Sequence, residues 1–414
     1  MKGICIRLVA VCSLLLGALF VPPTAQAAVT STRPSLHVLD GVGRGQAFTY
    51  DTTTDAGKPI QASATLYEPT APWRGKGERP TIIFAPGTRG AGDQCAPSRA
   101  GMGLGSVELS KVGSPTINAN YEYGFYMGAL QHGARVIVAD LIGLGMPGHH
   151  TYVNHIEEAH AMLDAARSGL ELARAPQDAP IGFAGYSQGG GASLAAAEFA
   201  DSYAPELNVA GTYSGAPPAD LPKVMKAIDG SSIVHVLGYA INGFAERDPK
   251  FRDAVLEELN PRGIDFLRSA ATTCTGDSIL MWGFTNTRQL TRTGESLSEL
   301  VERKPVIKET LLRQNQGKHP VKGPAMIASS PHDDLIPHEQ VRAVAGAYCQ
   351  MGGTVDFMAA PGTATIPGAG ADHALPLYVN IPVGLKYLFD RFNGKPAPSN
   401  CCLLYTSDAA DEED

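Results

Sequence analysis

Residues 185–191 read GYSQGGG and follow the apolar run IGFA at 181–184. A serine hydroxyl is a poor nucleophile unless a base within hydrogen-bond reach takes its proton. Where a buried strand turns sharply into a helix, glycines on either side let the backbone make the turn and leave the hydroxyl open to an approaching carbonyl. Gly185 and Gly189 flank Ser187 in this G-x-S-x-G pattern, and the following GGASLAAAEFA is helix-forming. A tight turn without chemistry would need no partners elsewhere in the chain, whereas a nucleophile needs an acid and a base.

With this kind of turn the expected chain order is serine, acid, histidine. Downstream, AMIASSPHDDLIP at 325–337 reads as a strand entering a loop, then an Ile-Pro pair opening a helix. A carboxylate at such a strand end can hold an imidazole in one tautomer and stabilise its charged form. Asp333 is favoured, with Asp334 the rival; one of them must simply solvate the loop. Only His338 and His373 follow the acid. His338 lies too close to Asp333 in the chain to face Ser187 freely, whereas His373 lies in a Gly-rich loop, GAGADHALP, between the last strand and the last helix. His373 is therefore the expected base.

A tetrahedral oxyanion requires two preorganised donors. The backbone N–H of Gln188, the residue after the serine, is one expectation. The loop APGTRGAG after the run at Thr81–Ala85 should supply the other, through Thr88, with Gly87 and Arg89 as alternatives. That loop lacks the lysine of a P-loop and the spacing of GxGxxG, so a phosphate cradle is not expected. The pairs His149-His150 and His332-Asp333 have no metal-ligand spacing, and adjacent loop histidines are usually solvated. No metal or other cofactor is expected.

These groups need a sheet to position them. Short apolar runs at 81–85, 135–139, 181–185, 209–213, 325–329 and 354–358 suit parallel strands covered on both faces. Helical spacing fills the gaps, notably over 155–173, 339–351 and 378–392. The alternation predicts an α/β fold, a mostly parallel sheet flanked by helices, with its site beyond the carboxyl ends of the strands. From 217 to 322 the rhythm breaks into charged helical pieces (220–228, 248–259 and 296–312), read as an inserted helical cap. Within it VLGYAINGF either forms the cap's own core or lines a pocket. The core is expected at 28–216 and 323–401.

With 414 residues, 44% apolar and 18% charged, the chain can build a sizeable core. A net charge of -8 with no basic cluster excludes a nucleic-acid partner. Lys2 and Arg7, the apolar run 8–21 and the Ala25-Gln26-Ala27 site read as a secretory signal over 1–27, cleaved after Ala27. The run falls short of the ~20 residues a spanning helix needs, so no transmembrane anchor is expected and the mature protein should be released, as a monomer. Of seven cysteines, Cys95, Cys274, Cys349, Cys401 and Cys402 outlast the signal; in an oxidising compartment two disulfides and one spare thiol follow. Residues 402–414, CLLYTSDAADEED, break from everything before them and form an acidic tail that resembles read-through into a cloning adapter, with the natural chain expected to end near Cys401.

In order along the chain, PGTRGAGDQCAPS (86–98), ADLIGLGMPGHHTYV (139–153), GYSQGGGAS (185–193), YSGAPPADL (213–221), DDLIP (333–337) and RFNGKPAPSNC (391–401) resemble a secretory lipase of the lipase A type, in its bacterial branch. The resemblance implies an α/β-hydrolase with a helical cap, cleaving carboxylic esters of lipids at an oil–water interface without a cofactor. It also implies Ser187, Asp333 and His373 as the triad, and disulfides Cys95–Cys274 and Cys349–Cys401. PGT stands where such enzymes more often carry HGT, and SSPHDD replaces the commoner HG-x-x-D. An acyltransferase or a polyester hydrolase would use the same three residues; a non-enzymatic binding module would be expected to lose one.

Overall fold

The computed structural model describes residues 27–35, 41–99, 105–109, 115–362 and 364–408. The predicted signal segment, save Ala27, and the last six residues of the acidic tail lie outside them. In chain order the strands are β1 (Val29–Pro34), β2 (Gly43–Thr53), β3 (Pro59–Pro69), β4 (Thr81–Ala85), β5 (Gly105–Leu109), β6 (Pro115–Ala119), β7 (Arg135–Ala139), β8 (Ile181–Tyr186), β9 (Val209–Gly215), β10 (Ala325–Ser329) and β11 (Val355–Ala359). The helices are α1 (Tyr123–Gln131), α2 (His155–Leu172), α3 (Gln188–Tyr203), α4 (Leu221–Ile228), α5 (Val236–Arg247), α6 (Pro249–Leu256), α7 (Pro261–Ala270), α8 (Thr275–Trp282), α9 (Leu297–Arg303), α10 (Pro305–Gln314), α11 (His338–Gln350), α12 (Ala371–Phe392) and α13 (Cys401–Asp408).

Nine strands form one sheet in the order β1-β2-β3-β7-β4-β8-β9-β10-β11, and β5 pairs with β6 apart from it. From β7 to β11 every pairing is parallel, while β1, β2, β3 and β7 pair antiparallel. Every residue of β4, β8 and β10 is buried, as unalternating apolar runs require. Their side chains divide between the two faces with period two. In β4, Ile82 and Phe84 pack with α1 and α12, while Ile83 and Ala85 pack with α2 and α3. The N-terminal strands escaped the sequence reading because β1 is an exposed edge and β2 is only partly buried, so neither presents an apolar run.

Between β9 and β10 the chain forms α4 to α10 and no strand. Asp220, Asp248, Asn260 and Ser296 cap α4, α6, α7 and α9 by accepting from backbone N–H groups in the first turn. The helix expected over 296–312 is two, because Pro305 can only start a helix and Lys304 before it is extended.

Cys95, in the loop after β4, is bonded to Cys274 at the start of α8, and Cys349 of α11 to Cys401. Cys402 is free and exposed. The tail's first turns continue as α13, and Leu404 is buried in the core.

Candidate active site

The carboxyl ends of β4, β8 and β10 converge on one edge of the sheet. Ser187 follows β8 with φ at +57° and precedes α3, a conformation costing a non-glycine residue about 1–3 kcal/mol. The flanking glycines permit it. A Cβ on Gly185 would lie 2.1 Å from the carbonyl oxygen of Gly189, and a Cβ on Gly189 would lie 2.0 Å from that of Ala85. The turn is closed by the Ser187 N–H donating to Gly215 O at 2.8 Å.

After β10, the side chain of Asp333 is fully buried. Its Oδ1 accepts from the N–H groups of Leu335 and Ile336 at 3.0 and 2.8 Å, leaving Oδ2 to His373 Nδ1 at 2.8 Å. Asp334 does different work, accepting from the backbone N–H of Gly370 at 2.7 Å and of His373 at 3.1 Å. His373 lies in the first turn of α12, which begins at Ala371, about two turns before the helix expected over 378–392. Burial opposes its charged form, but the charge of Asp333, its hydrogen bond and the charge of Asp334 outweigh this, so the pKa is raised. The imidazole packs beside Tyr186, the residue before the serine. That ring centroid lies 5.3 Å from the imidazole, and its hydroxyl donates to His373 O at 2.7 Å. Among the described residues no hydrogen bond joins Ser187 Oγ to His373, as is common before substrate arrives. His338 packs on Phe357, with ring centroids 5.5 Å apart, in the first turn of α11.

The loop after β4 commits most of its polar groups. Gly87 N–H donates to Glu122 Oε1 at 2.6 Å, and Glu122 is ion-paired with the buried Arg89 guanidinium, which also donates to Asn120 Oδ1 at 2.8 Å. The Thr88 carbonyl accepts from the hydroxyls of Tyr121 and Thr275, both at 3.0 Å. The N–H of Thr88, which belongs to the preceding peptide, has no hydrogen-bond partner among the described residues. Thr88 Oγ1 lies 2.8 Å from the Tyr152 hydroxyl.

Gln188 opens α3, and its side-chain amide is buried against Glu158 and His150. Here the sequence reading is corrected: His150 is not a solvated loop residue but is 1% exposed, with Nδ1 2.9 Å from Ile142 O. Burial pushes its pKa down to about 4, and burial pushes that of Glu158 up to about 8. Glu158 did not stand out in the sequence and His150 did so only as half of a histidine pair read as solvated, because a glutamate on a helix and a histidine in a loop look exposed until tertiary packing covers them.

An apolar pocket begins at Ser187 and Gln188 and runs between the helices that separate β9 from β10. One face of α5, with Val236, Leu237, Ala240, Ile241 and Phe244, forms part of its wall. The other face of α5 is packed inward, Gly238 against Phe266 and Ala270, and Tyr239 fully buried. Both readings of VLGYAINGF thus describe one side of the same helix.

The secretory lipase family model matches residues 109–400. The chain is similar to the secreted triacylglycerol lipase LIP5 of Malassezia furfur, 25% identical over 328 residues that span 78% of this chain and 81% of that protein. It is 26% identical to lipase 6 of Candida albicans over 304 residues, 70% of this chain and 63% of that one. Of solved structures, Candida antarctica lipase A in its closed state aligns with a TM-score of 0.72 at 21% identity, covering 94% of this chain and 91% of that chain. The rice cell wall degrading esterase LipA from Xanthomonas oryzae aligns at 0.66 and 19% identity, covering 84% and 91%. These likenesses give the α/β-hydrolase fold, and the match over 109–400 shows that the chain belongs to the secretory lipase family.

Proposed function

We propose that the protein is a secreted carboxylic ester hydrolase of lipids, a triacylglycerol lipase, working through Ser187, His373 and Asp333 by an acyl-enzyme. The observation that carries this is the 2.8 Å bond from Asp333 to an imidazole lying beside Tyr186, the neighbour of a strained serine at the mouth of an apolar pocket.

An acyl chain occupies the pocket between α4, α5, α6, α9 and α10, bringing its carbonyl carbon to Ser187 Oγ. As Oγ attacks, His373 Nε2 takes its proton, and Asp333 stabilises the imidazolium through Nδ1. The carbonyl oxygen becomes an oxyanion held by the N–H groups of Gln188 and Thr88. Gly87 is unsuited to that role because its N–H is already given to Glu122. Collapse of the intermediate breaks the ester C–O bond, and the imidazolium returns its proton to the departing alcohol. Water then repeats the sequence on the acyl-enzyme, releasing a fatty acid and freeing Ser187.

Purified protein should hydrolyse p-nitrophenyl and glycerol esters, and Ser187→Ala should lower kcat by at least about 10³-fold. Equal activity in the variant and parent would refute the assignment. Added acceptor alcohols, with product analysis, read any transfer in place of hydrolysis.

A further inference from the structure

Glu158, in the first turn of α2, is a buried acid that the steps above leave unused. Its Oε1 accepts from Gln188 Nε2 at 2.9 Å and from Val153 N–H at 3.1 Å, while Oε2 is buried without a hydrogen-bond partner among the described residues. Gln188 Nε2 also lies 2.9 Å from His150 Nε2. The other ring nitrogen of His150 faces the Ile142 carbonyl at 2.9 Å and must carry the proton, so Nε2 is a bare acceptor. The two amide hydrogens of Gln188 therefore go to His150 Nε2 and Glu158 Oε1, and the side chain is held at both.

We propose that Glu158 and His150 are positioning residues for the oxyanion hole: they clamp the side chain of Gln188 so that its backbone N–H faces the reacting carbonyl oxygen, and Glu158 does so as an uncharged acid. The inference rests on the proposed hydrolysis at Ser187 and specifies how one donor of that site is kept in place.

The surroundings favour the uncharged form. From α2 itself the neighbouring Glu157 carries a charge paired with Arg247 of α5 at 2.7 Å. The loop before α2 presents His150 and Tyr152, and α3 presents only the amide of Gln188. Among the described residues no lysine or arginine forms an ion pair with Glu158. Burial raises its pKa to about 8, the donors Gln188 and Val153 opposing and Glu157 adding. Below that value the site is neutral. Above it, a buried carboxylate one side chain away from the oxyanion opposes the negative charge forming there, little screened by water.

The experiment compares parent, Glu158→Leu and Glu158→Gln by pH-stat hydrolysis of a soluble short-chain ester across neutral and alkaline pH, with KM, kcat and thermal midpoint for each. The parent's kcat should fall as pH rises through about 8. Glu158→Leu should lose roughly 10- to 100-fold in kcat with KM within about threefold, comparable to weakening one oxyanion donor. Glu158→Gln, whose amide oxygen still accepts from Gln188, should regain most of that loss and show no alkaline fall. A Leu variant within about twofold of parent kcat, or a Gln variant with the parent's alkaline fall, overturns the proposal. If the Leu variant does not fold, the alkaline limb of the Gln variant decides alone. A parent without esterase activity refutes the proposed function instead, so the two failures are distinct.

Discussion

A Cβ placed on Gly185 would sit 2.1 Å from the carbonyl oxygen of Gly189 and 2.8 Å from that of Ala85. Both obstacles are backbone, so no side chain can yield. Gly185→Ala should cost about 2–3 kcal/mol, at the upper end of overpacking effects, and lower kcat more than about tenfold by displacing Ser187. In α11, Gly346 has nothing within 4 Å of its would-be Cβ, and Gly346→Ala should instead gain up to about 1 kcal/mol from helix propensity. Thermal midpoints of the two variants should move in opposite directions.

Asp333 and Asp334 adjoin in sequence but bond different parts of His373, the ring and the backbone N–H respectively. Asp333→Asn should lower kcat/KM by about 10³- to 10⁴-fold because the wrong tautomer is held. Asp334→Asn, which keeps an acceptor for the backbone, should lose about tenfold or less. Steady-state kinetics at neutral pH would refute the assignment if the order were reversed.

His373 must be neutral to take a proton, and its pKa is raised above the ordinary 6.5 despite burial, chiefly by Asp333. The sign follows: kcat/KM should fall as pH drops through a midpoint above 6.5. In Asp333→Asn the midpoint for residual activity should move to lower pH. A pH profile of both proteins reads the shift, and an unchanged midpoint would remove Asp333 from its role.

Ile241 and Phe244 lie on the pocket face of α5. Ile241→Trp should lower kcat/KM for palmitoyl relative to butyryl esters by about 10-fold or more, since a large ring displaces several methylenes. Gly238→Ala, on the opposite face where a Cβ would meet the Ala270 methyl at 2.7 Å, should lower stability while leaving the chain-length ratio within about twofold. A chain-length series of nitrophenyl esters measures both.

Parallel strands and the serine turn were legible because each rests on local sequence: unalternating apolar runs, and glycines where only glycine fits. Asp333 over Asp334 was favoured but undivided from its rival, since the distinction lies in which carboxylate meets a ring forty residues away. The start of α12 was hidden for a related reason. GAGADHALP reads as a loop, and Gly370 does take φ +86°, yet Asp334 accepts from both Gly370 and His373 N–H groups and so satisfies donors at the helix start from another segment. Glu158 gave no local signal, and His150 gave only that of a histidine pair, which was read as solvated; the packing of α2 and α3 gives the two a common partner.

The polypeptide leaves the sheet after Gly215 and re-enters at Ala325 on the immediately adjoining strand, where Ala325 pairs with Thr212. Because the two strands are parallel and Gly215 pairs with Ala328, entrance and exit of this hundred-residue excursion lie one strand spacing apart sideways, about 4.8 Å, and three residues apart along the strands, about 10 Å. Length and composition can change inside it without shifting any rung of the ladder, so selection has a place to remodel what the enzyme accepts while the machinery beneath keeps its register.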